Sequence, residues 1–325
     1  MARGRQLDEQ LQQLARARRD PGSAESMALL RRVLAGKSSH AAAAAAQIVG
    51  EAELHVLAPE LVAAFARFLQ QPVKSDPGCA AKAAIADALY RLNAAEIDLY
   101  LQGIRHVQLE PVWGGRADTA TGLRGTCGLA LVRVHYPDYL DELADLLADA
   151  EAPARRLAAQ ALAYSENPAA VPLLRLKALS GDVDPSVLGE CLLALLAIAP
   201  RGTLPFVARF LERPEAEIAE VAALALGGSR LRTALPILTE WWERSFDPAL
   251  RRSALLAIAM LKHDDALAYL LTHVAESPPV HAREAIRALG IYRHDPRLRA
   301  QLEAALAPRA EPLLRAAFTE AFGDS

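Results

Sequence analysis

Aromatic residues make up only 5% of the 325 residues, and cysteine and methionine contribute three each. The cysteines, Cys79, Cys127 and Cys191, lie far apart with no CxxC pair, which excludes a disulfide framework and a clustered thiolate zinc site. A basic excess is also missing: 36 Lys and Arg stand against 39 Asp and Glu, a formal net charge of −3. Without a global cationic field, nucleic acid or an anionic membrane is left only local patches to hold. No run of about 18 apolar residues free of charge or proline occurs, so no membrane-spanning helix is expected. The opening stretch MARGRQLDEQLQQLARARRD is basic but has no apolar centre, so it does not read as a secretory signal. These absences lead to the expectation of a reduced, cytoplasmic protein with no metal and no cofactor.

What the chain does have is apolar mass, 52% of its residues, written mostly in Ala and Leu. One compact core of that size is unusual, which points to several domains or an elongated array. Ala-Leu pairs act as a ruler: Ala88-Leu89, Ala130-Leu131, Ala161-Leu162, Ala194-Leu195, Ala225-Leu226 and Ala288-Leu289, with Ala257-Ile258 and Ala321-Phe322 in the same register. After a first step of 42, the intervals fall between 31 and 33. A fixed period in this range marks stacked repeats.

Each period reads as two helices. The first carries Leu at helical spacing, as in VPLLRLKAL, LPFVARFL and LPILTEWW; the second is richer in Ala, as in ARRLAAQALA and LRRSALLAIAML. Small side chains let helices approach closely, while Leu and Ile at i, i+3 and i+4 form the apolar stripe. Pro172, Pro205 and Pro236 are expected near the starts of first helices, where a missing N–H is tolerated. Asp76-Pro77, Asp184-Pro185, Asp247-Pro248 and Asp295-Pro296 mark further helix starts, each with an Asp cap. A basic residue recurs early in second helices at Lys82, Arg124, Arg155, Arg251 and Arg315, while Leu188 and Ala219 take its place in two units.

The stretch APARRLAAQALAYSENPAAVPLLRLKAL and its echoes, DPALRRSALLAIAML and VHAREAIRALG, resemble the HEAT-repeat family in its short bacterial, phycobilisome-lyase-type form. The likeness covers roughly residues 23–325, although the period is shorter than the ~40–47 residues usual for HEAT units. It implies an all-α fold, an α-solenoid of about nine antiparallel helix pairs in a HEAT-like superhelix. No sheet is expected. Residues 1–22 read as an N-terminal capping helix and 23–325 as the array, with second helices lining a concave side where partners bind.

Ten residues of the 42-residue step stand out: HVQLEPVWGG, inside the segment RHVQLEPVWGGRADTA at 105–120. Pro111 pushes Glu110 towards extended backbone and Gly114-Gly115 break any helix, so an inserted loop is expected in the third unit. A shorter excess, QQPVKSDPGC, lies one unit earlier and is expected on the same edge. Insertions within repeats often decorate the binding face. The binding candidates are therefore Arg105, His106, Glu110, Trp113, Gly114, Gly115, Arg116, Asp118 and Arg124. Trp113 offers a broad apolar platform to a partner; alternatively it folds back and plugs a gap between repeats. Gly125 and Gly128 suggest a close approach, most simply of another part of the chain.

Other chemistry finds little purchase. Cys127 and Cys191 share the register of Ala158 and read as core. His263-Asp264 and His294-Asp295 read as an Asp cap with a His at the preceding helix end. Deoxyhypusine hydroxylases resemble this fold and hold iron through His-Glu pairs, but the sequence contains no His-Glu dipeptide. Bilin lyases also resemble it, with no catalytic residue that can be matched here. Of Trp241 and Trp242, about 100° apart on a helix, at least one is expected to be partly exposed. The resulting expectation is a non-enzymatic scaffold for a protein or peptide partner, using the concave face and the 105–120 insertion. A lyase-type enzyme or enzyme accessory acting on a bound small molecule is the alternative, and nucleic-acid binding a lesser one.

Overall fold

A computed structural model describes residues 2–323, with side chains from residue 7 onward, so both ends of the expected 1–22 and 23–325 division fall outside the described residues. The chain divides into two compact units, Met1–Ser165 and Glu166–Ser325. The first begins with α1 (Ala2–Ala17), which buries Leu14 and Ala17. Four helix pairs follow: α2 (Ala24–Leu34) with α3 (Ser39–Glu51), α4 (Ala58–Leu69) with α6 (Ala80–Arg91), α7 (Ile97–Ile104) with α8 (Thr121–Arg133), and α9 (Tyr139–Leu147) with α10 (Ala152–Tyr164). A single turn, α5 (Pro72–Ser75), interrupts the second pair.

The second unit holds five pairs: α11 (Val171–Ser180) with α12 (Pro185–Ile198), α13 (Pro200–Ala208) with α14 (Ala216–Gly228), α15 (Ala234–Arg244) with α16 (Pro248–Met260), α17 (Asp264–Glu276) with α18 (Pro279–Leu289), and α19 (Pro296–Leu306) with α20 (Pro312–Phe322). The described residues thus contain the nine pairs that the period implies.

Packing explains the two compositions. In each unit, second helices stack directly on the second helix of the next pair, as α3 on α6 and α14 on α16. That approach needs small residues. A Cβ on Gly227 would lie 2.3 Å from the Ala257 carbonyl oxygen, and one on Gly125 would lie 2.3 Å from Leu157 Cδ1. The close approach expected at Gly125 is therefore a packing contact between repeats. First helices supply the larger apolar groups, with Leu61, Leu143, Leu174, Leu238 and Leu270 all fully buried. Each buried Leu contributes about 1.5–3 kcal/mol before the entropy of ordering is set against it.

Helix ends repeat as faithfully as the core. Asp184, Asp247 and Asp295 cap α12, α16 and α19 by accepting first-turn N–H groups. Just past six second helices, Glu53, Asn93, His135, Glu166, Arg230 and Lys262 take left-handed backbone, with φ between 50° and 58°. At the first three of these sites the next residue bonds back into the helix, as Ala94 N–H to the Leu89 carbonyl, completing a Schellman turn.

Four expectations need correction. Pro205 sits inside α13, because that helix starts earlier, at Pro200. His263 is itself the cap of α17, its Nδ1 accepting the Ala266 N–H at 3.3 Å, and Asp264 is the first helical residue. Trp241 and Trp242 are both buried: Trp241 Nε1 donates to the Leu211 carbonyl at 3.1 Å, and Trp242 packs under Arg251 and against His273 and His281. Finally, the fold holds one small sheet where none was expected.

Candidate functional site

The 105–120 insertion is a β-hairpin, not an irregular loop. Strand β1 (Leu109–Val112) pairs antiparallel with β2 (Gly115–Asp118), with Leu109 opposite Asp118 and Val112 opposite Gly115. Trp113 and Gly114 form the two-residue turn. Gly114 sits at φ 87°, backbone that L-residues with a side chain avoid, which explains the glycine there. A two-stranded hairpin is marginal on its own in water. Something must hold this one.

The holding groups lie at its base. Gln108 is buried; its Nε2 donates to the Asp76 carbonyl at 2.8 Å and to Glu110 Oε1 at 2.6 Å. The same Glu110 oxygen accepts the Gly78 N–H at 2.7 Å and the Thr119 hydroxyl at 3.0 Å. These bonds to Gln108, Gly78 and Thr119 hold the Glu110 carboxyl below its ordinary pKa. The two insertions therefore meet: QQPVKSDPGC supplies Asp76 and Gly78, and the hairpin supplies Gln108 and Glu110.

A second clamp comes from Arg124 on α8, which is only 2% exposed. Its Nη1 donates to Asp118 Oδ2 at 2.6 Å and to the His106 carbonyl at 2.9 Å, while Nη2 donates to Asp149 Oδ1 at 3.1 Å. Burial opposes the Asp118 charge, but the Ala120 and Gln108 N–H groups and Arg124 outweigh it and hold the carboxyl below its usual range. Behind both clamps, Lys82 Nζ lies 2.8 Å from Asp76 Oδ2 with both side chains fully buried. Asp76 also accepts the Ala81 and Lys82 N–H groups at 2.9 and 3.0 Å, so it caps α6 while pairing the lysine.

The nine sequence candidates accordingly separate. Glu110, Asp118 and Arg124 are internal clamps. His106 is half-buried, bonded to Gln108 Oε1 at 3.2 Å, and burial lowers its pKa. Arg105 pairs with Glu142 on α9. Trp113 and Arg116 stand at the tip beside Gly114 and Gly115, all exposed, and Trp113 is as open as a side chain in a free peptide, at 103%. A plug between repeats is thereby excluded for Trp113. Val107, Leu109 and Val112 add exposed apolar surface along the same hairpin.

Sequence reasoning missed Gln108, Asp149 and the pairing of Asp76 with Lys82. A signal was present: Asp stands six residues before the basic residue at Asp76/Lys82, Asp118/Arg124 and Asp149/Arg155. In each case the Asp bonds first-turn or entry N–H groups, and in the first two it also pairs with that basic residue. Arg155 instead donates to the Asp149 and Ala150 carbonyls, which frees the Asp149 carboxylate for Arg124 of the preceding repeat.

Periodic helix pairs, close second-helix stacking and a recurring left-handed helix end together define the repeat. Residues 241–323 match the family model of HEAT repeats. That segment, from within α15 to the end of α20, is similar to HEAT repeats. Two solved structures are similar to this chain. Human deoxyhypusine hydroxylase in complex with glycerol aligns with 18% identity and a TM-score of 0.33 over 71% of this chain and 96% of that one. The complex of CpcE and CpcF of phycocyanin lyase from Nostoc sp. PCC7120 aligns with 16% identity and a TM-score of 0.36 over 89% of this chain and 93% of that one. Likeness this loose carries no argument about activity. No curated protein matches the sequence.

Chemistry around the hairpin is sparse. A hollow of about 180 Å³ at its base is lined by Arg105, Arg124, Glu142, Asp145 and Asp149 among others. Its arginines are paired with Glu142 and Asp149. Burial pushes the Cys79 and Cys191 thiols up to about 12 and Cys127 higher still, so none is a thiolate at neutral pH. No group of three or more His, Cys, Asp or Glu among the described residues is arranged to hold a metal ion. No helix among them is long and apolar enough to cross a membrane. In the second unit, a separate hollow of about 320 Å³ lies on the second-helix row, between Glu220, Arg252, Ser253 and Glu284.

Proposed function

We propose that this chain is a non-enzymatic scaffold that captures a protein or peptide partner through the tip of the 105–120 hairpin. The observation that carries the reading is the fully exposed Trp113 held on a clamped base. An indole left in water carries an unfavourable hydration cost that only a partner can relieve. Its base is fixed by buried charge-assisted bonds, so little conformational freedom is lost on binding. Arg116 beside it adds the second residue type that most often anchors interface centres.

The alternative, a lyase-type enzyme or accessory, calls for a pocket with convergent reactive groups. The hollow at the hairpin base is smaller than the ~300–1,000 Å³ of ordinary ligand sites, and its charged groups are used on one another. At the hairpin, that favours recognition over catalysis. The net charge of −3 likewise favours a protein partner over nucleic acid.

Site-specific photocrosslinking tests the reading. With a photoreactive phenylalanine analogue in place of Trp113, illumination in the native cells is expected to give one dominant adduct. The same analogue at Val56, exposed on the unrelated α3–α4 turn, is expected to give none. Identical adduct patterns at both positions, or none at 113, would refute a recognition role for the tip.

A further inference from the structure

The first unit also contains a cleft of about 1140 Å³, bounded by α1, the α2–α3 turn, the end of α4 and α5. Three cations line it: Lys37 from the turn, Arg67 from the last turn of α4 and Lys74 from α5. No carboxylate lines it, and none of the three forms an ion pair among the described residues. Their neighbours are treated differently, since Arg18 pairs with Glu51 and Arg31 with Glu60. In a chain with more acidic than basic residues, three unpaired cations on one cleft are an excess left open.

The ordinary reason for a cation at a helix end is the row of free carbonyls there. Here those carbonyls are largely satisfied. The Ser75 hydroxyl lies 2.9 Å from the Gln70 carbonyl and 3.2 Å from those of Phe68 and Gln71, and Arg67 needs only Nη2 to bond the Leu34 carbonyl at 2.5 Å. The Arg67 guanidinium lies over the Phe68 ring, 4.9 Å from its centre, which fixes its plane. Its Nε is buried without any hydrogen-bond partner. That nitrogen is out of reach of a ligand, but Nη1 is not buried and makes no hydrogen bond either, and an oxyanion offers the acceptor a guanidinium fits best.

We propose that this cleft binds the di- or triphosphate group of a small organic phosphate, with Arg67 as the fixed anchor and Lys37 and Lys74 as flexible cations around it. Three positive charges lining one cleft exceed what a single carboxylate uses, whereas a pyrophosphate group matches them. Leu7 gives the same cleft apolar surface for the organic part. The site shares no residue with the hairpin and does not depend on the scaffold reading.

Titration calorimetry on the full chain tests it, with pyrophosphate and tripolyphosphate as probes and citrate as a carboxylate control of comparable charge. Saturable binding is expected at low salt, weakening as salt rises and about tenfold tighter than citrate. The Lys37→Ala/Lys74→Ala double variant changes only exposed side chains; its melting temperature is expected to hold while affinity falls about tenfold or more. Arg116→Ala on the hairpin is expected to leave the affinity unchanged. The assignment is overturned by no saturable heat at millimolar probe, by equal binding of citrate, by undiminished binding in the double variant, or by an equal loss in Arg116→Ala.

Discussion

Replacing Arg124 with Met removes the guanidinium that ties the hairpin to the repeats on either side. Methionine fills much of the same space, so the change isolates charge and hydrogen bonding. Asp118, whose side chain is 3% exposed, loses its 2.6 Å contact, and the His106 carbonyl and Asp149 lose theirs. Asp118 keeps the Gln108 and Ala120 N–H groups at 3.0 and 2.9 Å, so it stays charged with no cation beside it. Breaking a buried pair by deleting one partner costs about 3–5 kcal/mol, because the surviving charge is left desolvated. For a unit of this size each kcal/mol shifts Tm by roughly 2–4 °C, which places the expected fall between about 6 and 20 °C. Thermal melts followed by far-UV circular dichroism read this directly. Adding Asp118→Asn to Arg124→Met is expected to recover about 1–3 kcal/mol of the loss, since the orphan charge disappears. A melting temperature within about 2 °C of wild type for Arg124→Met would refute the buried clamp.

Acid is expected to destabilise the protein early. Burial lowers the pKa of His106, His273 and His281 from the ordinary 6.5, so the unfolded chain binds more protons than the folded one as pH falls. Their stabilisation is complete above about pH 6.5 and lost as pH drops through the folded values; a Tm that rises between about pH 7.5 and 5.5 contradicts this. Glu53→Gly is expected to raise stability by up to ~1 kcal/mol in urea melts, because Glu53 is exposed and held at φ 51°, where a side chain is strained. Cys79, Cys127 and Cys191 are expected to resist an aromatic disulfide reagent until the protein is denatured, and rapid labelling of the native chain contradicts their burial.

The repeat was legible because its cause is local. Small residues recur where second helices touch, and Leu recurs where first helices face the core, so the period of composition is the period of packing. Caps at Asp184, Asp247 and Asp295 were legible for the same reason: Asp-Pro acts within one turn. The hairpin was not. Its strands are four residues each, β1 contains Pro111, and the exposed pattern lacks the alternation of a half-buried strand. Its stability comes from Asp76, Gly78 and Arg124, which lie outside it in sequence. Trp241 and Trp242 misled because a helix-face argument assumes one buried side, whereas α15 has neighbours on two: Leu211 before it and His273 and His281 after it. Asp76 with Lys82 and Asp118 with Arg124 were both visible as residue types, but only the shared six-residue offset would have joined them.

The central claim is that the hairpin tip serves recognition while its base serves the fold. The most direct measurement compares the Trp113→Ala/Arg116→Ala double variant with wild type in two readouts, thermal melting and capture of the crosslinked partner. Both side chains are exposed, so Tm is expected to stay within a few degrees, matching a loss below ~1 kcal/mol. Capture is expected to fall about tenfold or more, as aromatic and Arg anchors contribute ~2 kcal/mol or more at interface centres. A variant that melts well below wild type yet captures its partner undiminished contradicts the account.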